Sequence, residues 1–455
     1  MMFHRCWFLL ISIVRTIASF VANQSIHGLH IQIFDNIAEI TQPIEADQLP
    51  VQFNQQEWFD IRPDSIRLVG YCLTIRGQII DFKQSSLNGQ RVMIQRSSTN
   101  DTYTEAIIID ENRNLIHDLT DNTFYTVSTE RIRYLFIPPI RNYSVNFSFE
   151  RLTPTEPMYL RYLQKNIKWT ARYDLLFEGN NSAATLQAYA DIRNDGSSHL
   201  TIDFAELISG DVNIQSTSSS ENYYNGAYMT TPASVSQDTE NDYGSGSSNG
   251  APTISTAQEL QGFYIFTINE TFTLNPRSNF ILPMIAPQVI GERYGLIEKF
   301  FSIYDNQDNA QRAYRIRVSD TYLPRGQVFV RESDRLVGET YWSDLAANET
   351  NEFTLGSDPD LRYNELIQLN SRRQAYEANG YRFILSTYTI NLLLINSKPR
   401  SINIEYRLKF SSQDSFTLKQ NTVNNTMQFE GSTLVGIFPM AANEEQQVKF
   451  TFETK

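Results

Sequence analysis

Apolar and polar residues alternate with a period of two along almost the whole chain, the pattern of strands that bury one face. HIQIFDNIAEITQPI reads as a strand pair. LPVQFNQ continues it, and SIRLVGYCLTIRGQIIDF is long enough to bend or to serve two sheets. Five short runs follow in quick succession: LNGQRVMIQ, YTEAIIID, LIHDLTD, FYTVST and IRYLFIPP, with turns at Asn88-Gly89 and around Glu111–Asn114. Such spacing suits a small closed barrel, over about 85–139.

From SVNFSFERLTP onward the runs lengthen, and MYLRYLQ, KWTARYDLLFE, TLQAYADIRND and LTIDFAELISGDVNI are each bounded by turn residues. Between 215 and 258 Ser, Gly and Asn dominate, and so few apolar residues cannot offset the entropy of ordering. This stretch is expected to be a disordered loop inside a domain, with LISGDVNI and GFYIFTIN on either side belonging to one sheet system; an interdomain linker is the alternative. RFILSTYTINLLLINSK, SINIEYRLKF, TMQFEGSTLVGIFPM and QQVKFTFETK alternate in the manner of an immunoglobulin-type sandwich. One weak helical candidate remains, ELIQLNSRRQAYEANG, and Cys72 in LVGYCLTI reads as a small buried hydrophobe.

The expected fold is therefore all-β: tandem β-sandwich or immunoglobulin-like domains with a small N-terminal barrel-like insert. The segments are 23–150, 151–310 and 311–455, preceded by a signal peptide at 1–22. That signal rests on Arg5 closing a short basic region, an apolar Cys6–Val14 and small residues near Ser19 and Ala22, with Arg15 interrupting the run. About nine apolar residues are too few to span a bilayer, so no membrane span is expected once the signal is cleaved.

Composition narrows the function. The 24 Tyr and 28 Phe favour pleated, half-buried surfaces. A net charge of −13 without a basic cluster argues against nucleic acid, whose phosphates demand clustered Lys and Arg. Export raises the prospect of N-glycosylation, and sequons stand at Asn23, Asn100, Asn142, Asn146, Asn180, Asn269, Asn348 and Asn424.

MYLRYLQKNIKWTARYDLLFE resembles the SYLxxGxxWxxxYxL pattern of the family carrying the domain of unknown function 4139, which is mucoidy-inhibitor-like. LQAYADIRNDGSSHLTIDFAELISGDVN, FYIFTINETFTLNPRSNFILPMIAPQVIGERY and NLLLINSKPRSINIEYRLKF resemble further stretches of that family. The likeness runs from about His30 to the end of the chain and is most specific around Trp169 and Gly210–Asn213. It departs from the family where QKNIKW lacks a glycine before the tryptophan and where Asn351-Glu352 stands in place of a Gly-Glu turn. The resemblance implies a β-rich, exported protein in which Trp169, Tyr173, Gly210, Asp211 and Asn213 are structural. It supplies no catalytic residue.

Candidate chemistry is sparse. His27 and His30 in HGLH have a metal-compatible spacing but no Cys or Glu-x-x-His partner, and no G-x-S-x-G elbow exists for a serine nucleophile. Asp211 is the best single polar candidate, against the plainer reading of a turn cap. The acidic Ser357–Asp360 lacks a calcium-loop pattern. Trp169 alternates with Ile167 and Ala171 and is expected to face a core. The Tyr-rich segment with Tyr223, Tyr224 and Tyr228 has the composition of an adaptable recognition loop. No catalytic residue, metal site or cofactor is expected. The chain is expected to be a secreted, non-enzymatic binding or structural protein with an extracellular protein or glycan partner. The alternative is an extracellular glycosidase or peptidase whose carboxylates form no visible motif.

Overall fold

The computed structural model describes residues 28–455 apart from 84–85, 97–101, 139–141, 154, 179–182, 212–251, 256, 261, 377–381, 412–415 and 422–426. Strand makes up about 70% of the chain and helix about 4%, so the fold is all-β. The expected signal segment 1–22, Asn213 and the three loop tyrosines lie outside the described residues.

The chain gathers into two compact units, each drawn from two stretches of sequence. The first takes residues up to Trp169 together with Ile192–Phe280, and the second takes Thr170–Asp191 with Ile281–Lys455. The cut points fall within strands, at Trp169/Thr170, Asp191/Ile192 and Phe280/Ile281, rather than at 150 and 310.

Counted over the described residues, the first unit holds a seven-stranded sheet built around His30–Ile33 and Ala38–Ile44. His30–Ile33 buries Ile31 and Ile33 and runs parallel to Phe204–Ser209. On its far side Phe204–Ser209 pairs antiparallel with Phe263–Ile268, Leu207 facing Phe266, so LISG and GFYIFTI do share one sheet. The 215–258 excursion ends sooner than its composition implies. Gln258–Leu260 is itself a strand, Ile254 bridges Ile268, and Thr253 is tied through its N–H and hydroxyl to Glu270 at 3.1 and 2.7 Å.

SIRLVGYCLTIRGQIIDF serves two sheets. Ile61–Gly70 joins the large sheet, and Leu73–Lys83 joins a three-stranded sheet with Asn142–Arg151 and Val51–Asn54. The turn between them puts Cys72 at φ 53° and half-exposed, so it is a turn residue and not a buried strand position. Between the outgoing Leu73–Lys83 and the returning Asn142–Arg151 lies the small five-stranded sheet, with Val92, Ile94, Ala106, Ile108 and Ile116 on its core face. Its five strands are the five expected runs. Its ladder runs from Ile132–Tyr134 to Thr123–Thr126, and among the described residues no pairing joins those two ends into a closed barrel.

Among the described residues the single α-helix, Gln55–Asp60, starts where Asn54 accepts the Glu57 N–H at 2.9 Å while the Glu57 carboxylate accepts the Asn54 N–H at 3.0 Å. This reciprocal cap satisfies two otherwise orphaned donors in a helix too short to stand on propensity.

The second unit is dominated by the largest sheet. Thr350–Tyr376 is one 27-residue strand paired with Arg382–Asn396, so ELIQLNSRRQ is strand and not helix. Its helical spacing loses to a long antiparallel ladder that buries Leu361 and Tyr363 against Ile390, Leu392 and Leu394. Ile402–Lys409 lies parallel to Gln288–Phe300 and antiparallel to Thr433–Met440, and contributes Ile404, Tyr406 and Leu408 to the same core.

Candidate functional site

The positions singled out from the sequence do not converge on one site. Trp169, 4% exposed, donates its indole N–H to the Ile208 carbonyl at 3.0 Å and meets Phe266 edge-on. Gly210 has φ +131°, and a Cβ there would come within 2.9 Å of the Phe263 ring, so only glycine fits. Asp211 follows on the surface. Tyr173 belongs to the other unit, fully buried, its hydroxyl donating to the Pro324 carbonyl at 2.6 Å; burial drives its pKa far up, so it remains a neutral phenol. These are packing and turn positions.

Of the sequons, Asn142, Asn146, Asn269 and Asn348 are exposed, and Asn142 and Asn146 share one face of a strand. Asn100, Asn180 and Asn424 lie outside the described residues. His30 sits within a strand 3.4 Å from Glu206, beside Phe204. In the Ser357–Asp360 stretch, Asp358 is 2% exposed and bonded to Lys398 at 2.9 Å, which neutralises the carboxylate a calcium ion would need. Among the described residues no group of three His, Cys, Asp or Glu is disposed to hold a metal.

The arrangement that can receive a ligand was not anticipated. It lies in the second unit where Gln288–Phe300 changes neighbours. Residues 288–290 pair with Ala183–Thr185, and the parallel pairing with Ile402–Lys409 begins at Tyr294↔Asn403. Residues 289–296 pair throughout with Asn306–Val318 on the other side. At this fork opens a groove of about 530 Å³, lined by Ile290, Glu292, Arg293, Arg400, Asn403 and Met440 among others. That volume is within the range of small-molecule sites.

Two charge patterns meet there. On one face Arg315 is gripped by Glu352, Glu292 and Glu405 at 2.5, 2.8 and 2.8 Å, and Arg407 by Glu405 and Glu352 at 2.6 and 2.9 Å. Burial alone would weaken the hold of both guanidiniums on their protons, but Glu405 and Glu352 outweigh it and raise both pKa values. Arg293 and Arg400 are placed differently. Both approach the same Glu332 oxygen, at 3.5 and 3.6 Å, while the other oxygen accepts the Tyr314 hydroxyl at 2.9 Å. Burial and then the like charge of Arg400 push the Arg293 pKa down. Both guanidiniums thus approach one oxygen of Glu332.

No sequence signal short of tertiary structure joins these arginines. Arg293 stands at the inward parity of GERYGLI, an unusual place for a charge, and that is the sole local hint.

No protein-family model matches the chain, and no match was found among curated proteins.

Proposed function

We propose that this is a secreted, non-enzymatic binding protein that presents its grooves and loops to an extracellular protein or glycan, with a fold related to proteins carrying the domain of unknown function 4139. The observation that carries the reading is the disposition of the acidic side chains. Asp358, Glu365 and Glu405 are buried and each is held by lysine or arginine, so these carboxylates neutralise structural cations. Four grooves in the described residues are each lined by at most one carboxylate, whereas a glycosidase needs two facing its substrate. The exposed Asn142, Asn146, Asn269 and Asn348 fit a protein that meets the glycosylation machinery.

Expression in a eukaryotic secretion host tests the reading. The expected product is found in the medium, loses mass on treatment with an N-glycan-cleaving enzyme, and retains an extracellular glycan or protein on an affinity column without altering it. Turnover of a glycoside or peptide substrate by the purified chain would replace this reading with that of a hydrolase, and retention in the cell without glycan would remove the extracellular part.

A further inference from the structure

We propose that the outer edge of Leu73–Lys83 pairs with the same edge of a second copy of this chain, antiparallel and centred on Gln78. The inference goes beyond the binding reading above and does not depend on it.

Leu73–Lys83 ends its three-stranded sheet, and among the described residues no strand pairs with its outer side. The inner ladder shows which backbone groups face outward. The Leu152 N–H reaches the Cys72 carbonyl at 3.2 Å, so the facing Arg151 and Leu73 form a pair that exchanges no bonds. Bonded and non-bonded pairs alternate from there. The register shift between Phe149↔Ile75 and Ser148↔Gly77 makes Arg76 the extra residue of a bulge. Leu73, Ile75, Gln78, Ile80 and Phe82 therefore direct their N–H and C=O groups outward. Phe82 agrees: its N–H is capped by the neighbouring Asp81 carboxylate at 2.8 Å. Proteins usually blunt such an edge with lysine, proline or a covering element. Here Ile75, Ile79 and Ile80 are 40, 63 and 44% exposed along it, and Arg76 is drawn to Glu150 of the inner strand at 2.6 Å.

A second copy fits because the five outward residues are symmetric about the third. With a two-fold axis at Gln78, that residue exchanges both backbone bonds with its counterpart. Ile80 then meets Ile75 of the other copy, Phe82 meets Leu73, and the Arg76 bulges fall at equivalent places. On the opposite face Ile79 lies over Gly77 of the other copy, in a non-bonded pair where side chains approach most closely. That space is open: among the described residues no atom beyond the adjoining residues comes within 4 Å of where a Gly77 Cβ would stand. Between Leu73 and Phe82 the charges are Arg76 and Asp81. Their signs are opposite, and antiparallel pairing brings Asp81 of each copy toward the Arg76 end of the other. An unrelated extended segment would have to reproduce the bulge to satisfy the same five positions, so a second copy is the better fit.

Sedimentation velocity on the full chain tests this. The chain is expected to pass from monomer to dimer over about 1–100 µM, the weak association of an interface no larger than one strand pair. Gln78→Pro removes an N–H that the inner ladder does not use, and proline is tolerated on the outer side of an edge strand, so the fold should stand. It should raise the dimer dissociation constant about 10- to 100-fold, the scale of two lost backbone hydrogen bonds, with the melting temperature of the dilute protein unchanged. Should Gln78→Pro fail to fold, Gln78→Cys decides. The Cα atoms of a bonded antiparallel pair stand about 5.5 Å apart, within disulfide reach. Mild oxidation should therefore link two copies through position 78, as mapped by peptide mass spectrometry. A chain that stays monomeric across the range overturns the inference and leaves the edge to an extended segment of another protein. Unchanged dimerisation of a folded Gln78→Pro variant, or oxidation of Gln78→Cys that forms no link between the two copies at position 78, overturns it as well.

Discussion

Replacing Trp169 by alanine probes the first unit where its sequence pattern and its packing meet. The indole is 4% exposed, lies edge-on to Phe266 with ring centroids 6.0 Å apart, and donates to the Ile208 carbonyl at 3.0 Å. Three contributions bear on the cost. A buried tryptophan removes about 150–250 Å² from water, worth about 4–6 kcal/mol at 25 cal/mol per Å² against an extended reference chain. Emptying a buried aromatic site costs about 3–5 kcal/mol in practice, because the surroundings partly collapse. The Ile208 carbonyl then loses its donor, worth about 1 kcal/mol unless water enters. The expected destabilisation is about 3–5 kcal/mol, with the carbonyl placing it at the upper end.

Trp169→Phe separates the contributions. It keeps most of the volume and forfeits the hydrogen bond, so it should cost about 1–2 kcal/mol. The assay is urea denaturation followed by far-ultraviolet circular dichroism, since the substitution removes a fluorophore. With two compact units the curve need not be two-state, and the transition of the first unit is the one that should move. A midpoint for Trp169→Ala within about 0.5 kcal/mol of wild type, at unchanged slope, would refute the burial argument. Equal costs for Ala and Phe would show that the hydrogen bond, and not the volume, holds the site.

Three further outcomes follow from single contacts. Gly210→Ala, forced into φ +131° and onto the Phe263 ring, should lower stability by about 1–3 kcal/mol, and a melting temperature equal to wild type would contradict that geometry. Burial alone would raise the Asp118 pKa, but the Thr120 N–H, the Tyr125 hydroxyl and Arg96 outweigh it and hold the carboxyl at about 2. Since its folded value lies below the unfolded one, its stabilisation is present above the ordinary carboxylate pKa and is lost as pH falls toward about 2; Asp118→Asn should flatten that acid limb in a pH series of melts. Lys299→Met leaves Glu365 buried without its 2.6 Å partner and should cost about 3–5 kcal/mol at neutral pH. Burial already raises the Glu365 pKa, so the folded state favours the protonated acid, and the penalty should shrink as pH is lowered through the folded pKa; a penalty independent of pH would refute the assignment.

The sequence disclosed elements better than their connections. Period-two alternation found the strands on either side of the low-complexity stretch and even their partnership, because Leu207 and Phe266 must both face one core. It misread ELIQLNSRRQ, where leucines at helical spacing point outward and the inward Leu361, Tyr363 and Glu365 reveal the true period. Cys72 was hidden by its apolar neighbours, although Gly70-Tyr71-Cys72 makes the turn that lets one run serve two sheets. The capping box Asn54-x-x-Glu57 was a readable signal for the short helix. The groove was not readable at all: Arg293 and Arg400 lie far apart in the chain and meet only through a parallel pairing, whose register no local pattern specifies.

A buried carboxylate with a raised pKa is often taken as the mark of a general acid, and Glu365 has both properties. Its surroundings argue for a structural role. A general acid must reach its substrate within hydrogen-bonding distance, directly or through one water. Glu365 has no exposed surface, its carboxylate is joined to Lys299, and the Tyr406 hydroxyl lies beside it in a ring that is itself fully buried. The raised pKa is therefore the consequence of enclosure in the core and not of placement toward a reactant. Arg293 and Arg400 are set differently: both approach one oxygen of Glu332, at 3.5 and 3.6 Å, and both line an open groove. The same sheet holds Arg315 and Arg407, each paired with two or more carboxylates. That contrast separates the enclosed carboxylates of the core, which hold cations, from the guanidiniums that line an open groove.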